Sequence, residues 1–144
     1  MVRTWSMELA RADVTVNAVI PVAATAMTET VPFFAVAVAA DKAGEPMPAF
    51  FRHDLGFGTA ADVAGLIAYL ASDAASGVTG QAIGVGGDRI QLWSHPEPII
   101  SEYQEGGWTE AALDSRFDGL FVGRQQSVGE KFPELPAELQ PTKA

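Results

Sequence analysis

The 144-residue chain contains no cysteine. That excludes disulfides, cysteine-ligated zinc, iron–sulfur clusters and thiol nucleophiles. Basic residues are scarce as well: 9 Lys and Arg stand against 18 Asp and Glu, a formal net charge of −9, and no Lys/Arg cluster relieves it. Nucleic acid or an anionic membrane would need a basic face to displace counterions, so neither is expected as a partner. Long apolar runs are missing. The longest, Val31 to Ala40, has about ten residues and contains Pro32, whereas a membrane span needs about 20. The first ten residues, Met1-Val-Arg-Thr-Trp-Ser-Met-Glu-Leu-Ala10, carry charges and no apolar core, unlike a secretory signal. A cytoplasmic location is the resulting expectation.

What is present is apolar and evenly punctuated. Hydrophobic residues make up 48% of the chain, with 14 Gly and 9 Pro, the composition of a globular α/β or α+β domain rather than a fibrous or disordered one. Residues 2–11 read as the back part of a helix, with Trp5, Leu9 and the Met7/Ala10 pair at helical spacing and no N-cap residue in front. Val14-Thr-Val-Asn-Ala-Val-Ile20, closed by Pro21, and Gln81-Ala-Ile-Gly-Val-Gly86, stopped by Gly87-Asp88, are β-branched or apolar runs without polar alternation. Such runs suit strands of a parallel sheet buried on both faces.

Between them, Thr59 to Ser72 forms the strongest helix, with Val63, Leu66, Ile67 and Leu70 on one stripe and Thr59/Asp62 as an acidic capping box. The small residues Ala60, Ala61, Ala64, Gly65 and Ala68 on its other face fit a helix covered on more than one side. The order helix, strand, irregular segment, helix, strand predicts a right-handed βαβ crossover. From Pro96 onward five of the prolines fall among 9 acidic and 4 basic residues. Leu113, Phe117, Leu120 and Phe121 mark one short helix in that acidic tail.

Several patterns invite chemistry and have plainer readings. Gly56-Phe-Gly58-Thr-Ala-Ala61 matches a dinucleotide-binding pattern and opens a helix. Phe51-Arg-His-Asp-Leu55 before it is too ionisable for the buried strand that pattern requires, so it reads as a turn feeding an N-cap. Gly84-Val-Gly86-Gly87-Asp88 is a phosphate-nest candidate with no helix after it, and reads as a strand end with room for close packing. His53 and His95 lack a ligand pattern, and Ser72, Ser76 and Ser94 lie outside any Gly-x-Ser-x-Gly elbow. Glu97, Glu102, Glu105 and Glu110 read as a solvated face. Pro21 to Thr30, leaving the carboxyl end of a strand, is where an open parallel sheet binds ligands. Its backbone N–H groups and the Thr25 and Thr28 hydroxyls could orient an amide or phosphate; a loop that merely caps the sheet is the alternative.

Taken in order, Glu8-Leu-Ala, Val14-Thr-Val-Asn-Ala-Val, Pro21 with Thr25 and Met27-Thr28, Asp62-Val-Ala, Tyr69-Leu-Ala-Ser-Asp73 and Thr79-Gly-Gln-x-Ile-x-Val-Gly-Gly87 resemble the C-terminal third of a short-chain dehydrogenase/reductase. More narrowly, Pro21 to Thr30 and Val85 to Pro96 resemble the dehydrogenase unit of multifunctional β-oxidation enzymes and bacterial 3-oxoacyl reductases. The resemblance implies the last two strands of a Rossmann-like doubly wound parallel sheet in residues 1–95, with residues 96–144 as an extension. It also implies NAD or NADP as cofactor, no metal, and a 3-hydroxyacyl or 3-oxoacyl thioester substrate.

Carried over by position, Pro21, Val22, Ala23 and Thr25 would contact the nicotinamide end of the cofactor. Val22 replaces the usual glycine, and Thr25 stands one residue closer to the proline than is commonest. Phe33, Phe34, Phe50 and Phe51 would line an acyl pocket in the substrate-covering segment, with ordinary core packing as the equal alternative. Residues 60–72 and 81–86 would join subunits of a homo-oligomer. The family's Gly-rich loop, catalytic Ser and Tyr-x-x-x-Lys have no counterpart here: Asp73 follows Tyr69 by four residues, and Gly107 so follows Tyr103. By the family pattern the Lys would lie several residues before Met1, on the same helix. The expectation is the C-terminal part of an oxidoreductase, inactive and poorly stable alone. The alternatives are a noncatalytic assembly module that pairs with full-length relatives, and a small acyl-binding protein.

Overall fold

The computed structural model describes residues 1–125 and 133–140. Residues 1–94 and 135–140 belong to one compact unit, and the described residues between them to a second. The first unit begins with α1, Val2–Leu9, which tightens into a 3₁₀ turn at Ala10–Ala12 and stops where Asp13 turns left-handed (φ 53°). Met1 occupies the N-cap without a side-chain bond, as its residue type requires.

Strand β1 is shorter than its β-branched run: only Ala18–Pro21 is extended and paired. The reason lies in two polar side chains. The Val16 N–H donates to Thr79 Oγ1 (3.0 Å), Asn17 Nδ2 donates to the Val78 carbonyl (2.8 Å), and Asn17 Oδ1 accepts from the Gln81 N–H (3.1 Å). Before Ala18 these side-chain bonds stand beside one backbone bond, from the Gly80 N–H to the Val16 carbonyl (2.7 Å), and break the regular ladder, a local competition that Asn and Thr favour. β1 pairs in parallel with β2, Ala82–Gly86, in the register Ala18↔Ala82 to Pro21↔Val85.

A third strand, β3 (Arg89–Trp93), pairs antiparallel with β2, so the sheet is mixed, in the order β1-β2-β3. The two-residue turn Gly87-Asp88 makes this hairpin. Gly87 has φ 52°, the left-handed conformation that a tight hairpin needs at its first turn residue. The expectation of strands buried on both faces is not met within this chain. The residues of β1 are half-buried or exposed, and only Gly84 and Gly86 of β2 are fully buried.

Helix α3, Ala60–Leu70, crosses between the two parallel strands with its capping box in place: Asp62 Oδ2 accepts from the Thr59 N–H (2.7 Å) and hydroxyl (3.0 Å). Leu66 is its one buried residue; Ala60, Ala61, Ala64, Gly65 and Ala68 are exposed, and so is Ile67 of the expected apolar stripe, at 50%. The expectation of cover on a second side is therefore corrected. The stretch expected to be irregular contains α2, Ala35–Ala43, entered through Pro32 and ended by Gly44 at φ 70°. Its Ala/Val alternation mimics a strand, yet alanine propensity and the Pro and Gly at the two ends suit a helix.

The dense core lies under this segment rather than under the sheet. Phe34, Ala37, Val38, Met47, Phe51 and Phe57 are buried together, with Val22, Leu55, Leu135 and Leu139 packed on them. Phe34 and Phe57 stack at 4.4 Å between centroids. In the second unit, α4 (Glu110–Phe121) starts at Thr109, whose hydroxyl accepts from the Ala112 N–H. There Arg116 lies 5.0 Å from the centre of the Trp108 ring.

Candidate functional site

Because β1 and β2 run parallel, the loops leaving them emerge at the same end of the sheet. Val22 extends the ladder by donating to the Val85 carbonyl (3.0 Å), after which the chain turns away. A short parallel bridge then ties the loop to residues 56–58: the Ala24 N–H donates to the Gly58 carbonyl (2.7 Å), and the Gly58 N–H to that of Val22 (3.4 Å). Both glycines at this junction are there for space. A Cβ on Gly86 would overlap the carbonyl oxygens of Val22 and Gly56, and one on Gly58 would overlap the Gly87 backbone and the Asp62 carboxylate. The apparent dinucleotide pattern at 56–61 is thus a backbone crossing that feeds the α3 cap. The Gly84–Asp88 stretch is a strand end and hairpin.

Within the loop, Thr28 Oγ1 accepts from the Thr25 N–H and donates to the Thr25 carbonyl, both at 2.8 Å. The Thr28 hydroxyl is therefore a staple rather than a ligand donor. Thr25 is exposed, and its own hydroxyl makes no hydrogen bond among the described residues. Pro21 is exposed, while Val22 and Ala23 are half-buried. The arrangement presents one hydroxyl, on a backbone fixed at both ends, at the carboxyl end of parallel strands. That geometry suits a carboxamide or another small polar group.

The four phenylalanines come together, in the core. Phe51 and Phe34 are buried, and Phe33 and Phe50 pack against them in edge-to-face pairs at 5.2 Å (Phe33–Phe34) and 5.4 Å (Phe50–Phe51). His53 is exposed beside Asp54, and His95 belongs to the second unit. Among the described residues no group of three or more acidic or histidine side chains could hold a metal ion. No described helix is long and apolar enough to cross a membrane.

Composition and periodicity do not reveal the polar network beside the loop. Arg52, in a π-helical turn at Phe50–Asp54, donates from Nη1 and Nη2 to the two Asp62 oxygens (3.1 Å each). Its Nε (3.0 Å) and Nη2 (2.7 Å) donate to Asp88 Oδ1. The guanidinium and the Thr59 donors hold the Asp62 carboxyl below its usual range, against an opposing effect of partial burial; Arg52 is raised by the same two carboxylates. The two carboxylates lie 10 and 36 positions from Arg52, so no local pattern announces them.

Comparison with known proteins agrees with this architecture. A family model described as enoyl-(acyl carrier protein) reductase matches residues 1–87. The chain belongs to the short-chain dehydrogenase/reductase family. Over 92 residues it is 45% identical to the 3-oxoacyl-(acyl-carrier-protein) reductase FabG of Thermotoga maritima, a match covering 62% of this chain and 33% of that protein. The crystal structure of a short chain dehydrogenase from Mycobacterium avium superposes with a TM-score of 0.54 at 23% identity, over 94% of this chain and 35% of that one. The chain thus spans about a third of the length of these relatives.

Proposed function

We propose that these residues form the nicotinamide-facing, C-terminal part of a cytoplasmic NAD(P)-dependent reductase acting on 3-oxoacyl or 3-hydroxyacyl thioesters. In this reading residues 1–95 are the dehydrogenase part and 96–144 an extension. The observation that carries it is the 45% identity to a 3-oxoacyl reductase, supported by the stapled loop at the carboxyl ends of β1 and β2. Pro21, Val22 and Ala23 shape that loop, and the Thr25 hydroxyl bonds the carboxamide. The cofactor, when bound, supplies or accepts hydride. Phe33 and Phe50, at the rim of the aromatic core, are the residues best placed to meet an acyl chain, with Phe34 and Phe51 behind them. A general acid against the substrate oxygen is also required, and these 144 residues contain no Tyr-x-x-x-Lys to provide it.

The test is saturation-transfer NMR with NADH and NADPH. Transfer to the nicotinamide protons and little to the adenine protons is expected, since this chain offers only the nicotinamide end of the site. Thr25→Val should abolish the transfer, and equal transfer to both rings, or to neither, would overturn the reading. In parallel, turnover of 3-oxoacyl thioesters by these residues alone is expected to be absent.

A second reading, an assembly module, is favoured by the outer face of α3. Ile67 is 50% and Tyr69 47% exposed beside exposed alanines, and a Cβ on Gly65 would meet nothing within 4 Å. Residues 60–72 with 81–86 would then join copies of the chain, or this chain to longer relatives. Light scattering tests it: a monodisperse monomer at micromolar concentration would count against it.

A further inference from the structure

We propose that Arg52 is the latch of a three-way polar clamp that holds the segment between β1 and α3 closed on the β2–β3 hairpin, and through it positions the loop at Val22–Thr25. The inference goes beyond the proposed activity and stands or falls without it. Three stretches of chain meet at one guanidinium: the π-helical turn that carries Arg52, the first turn of α3 through Asp62, and the hairpin turn through Asp88. The backbone closes the same joint, because the Asp88 N–H donates to the Arg52 carbonyl (3.0 Å). Beside it Arg89 Nη1 donates to the Asp54 carbonyl (3.0 Å), and Nη2 to that of Leu55. Further along the same segment, Phe57 enters the core and Gly58 bonds the backbone of Val22 and Ala24.

The clamp is asymmetric. Arg52 Nη2 is shared, lying 3.1 Å from Asp62 Oδ1 and 2.7 Å from Asp88 Oδ1. The cation between them offsets the repulsion of two carboxylates that share one nitrogen, and without it that repulsion acts against the backbone bond of Asp88. The Arg52 and Asp62 side chains are 27% and 21% exposed, so water screens that pair less than an ordinary surface pair, whereas Asp88, at 50%, is screened more. Removing Arg52 therefore turns an attraction into a repulsion and opens the joint. Removing Asp88 leaves a bidentate Arg52–Asp62 pair intact and weakens the joint less.

Hydrogen exchange of the 144-residue chain, read by peptide mass spectrometry, tests this. Arg52→Met is expected to speed exchange of the Ala24, Gly58 and Asp88 amides about tenfold by local opening, with the β2–β3 ladder amides unchanged. Asp88→Asn should have a smaller effect. In the Arg52→Met background, Asp88→Asn should slow exchange again, because it removes the repulsion. Acceleration in the double variant equal to or beyond that of Arg52→Met, or a uniform rise across all amides, would overturn the latch. Should Arg52→Met fail to fold, Arg52→Lys serves: one ammonium in place of the fork should give an intermediate acceleration confined to the same amides, and no local change would overturn the proposal.

Discussion

Asp62 serves two structures at once. Its carboxylate caps α3 through Thr59 and receives both terminal nitrogens of Arg52, so protonating it loosens a helix end and an ion pair together. Its folded-state pKa is lowered, while an unfolded Asp titrates at about 3.9. The stabilisation is therefore complete above the unfolded value and is lost as pH falls through the lower folded one. Urea titrations from about pH 7 down to about pH 3 should show stability falling at the acid end, and Asp62→Asn should be less stable at neutral pH with a flatter acid profile. An unchanged profile in the variant would show that Asp62 does not carry the effect. At Gly86 the argument is steric instead. A methyl group there would overlap two carbonyl oxygens belonging to different loops, and Gly86→Ala should cost about 1–3 kcal/mol, read as a lower urea midpoint at unchanged slope.

At the scale of elements, what could be read in advance depended on how local the deciding interaction was. The α3 stripe and its capping box are contiguous, and the helix forms over Ala60–Leu70 as the spacing predicts. The parallel pairing of β1 and β2 also follows from the apolar runs, but before Ala18 the regular ladder is interrupted where Asn17 and Thr79 bond across 61 to 64 positions. β3 carries a local signal that a search for apolar runs passes over: Gly-Asp before the alternating Arg89-Ile-Gln-Leu-Trp93 is a hairpin pattern. The position of the loop at Pro21–Thr25, directly after β1, is legible in the sequence. The Arg52 clamp is not, since its partners are distant in sequence. The exposed face of α3 makes its own prediction. Burying Ile67 against another copy would recover apolar area that this chain leaves in water. The chain should therefore elute as a dimer or larger by light scattering, and Ile67→Asp should return it to monomer mass. A variant that keeps the larger mass would place the contact elsewhere.

For the whole molecule, the distribution of burial decides how it unfolds. The fully buried large side chains are Phe51 and Phe57, and the cluster around them draws on α2, the turns beside it and residues 135–140, with no residue of β1, β2 or β3. The sheet has instead one outer strand, β1, paired on a single side, and another, β3, with Ile90 and Leu92 66% and 72% exposed. Parallel strands are ordinarily covered on both faces, so this sheet contributes less than its share of packing enthalpy. A fully packed chain of this length would unfold with about 100 kcal/mol near 60 °C. Scanning calorimetry should find less than about half of that, in a broad transition that strand amides report earlier than those of α2. A sharp two-state transition at the full enthalpy would mean that the sheet is covered in solution, and a midpoint that stays concentration-dependent in Ile67→Asp would then identify a second copy as the cover.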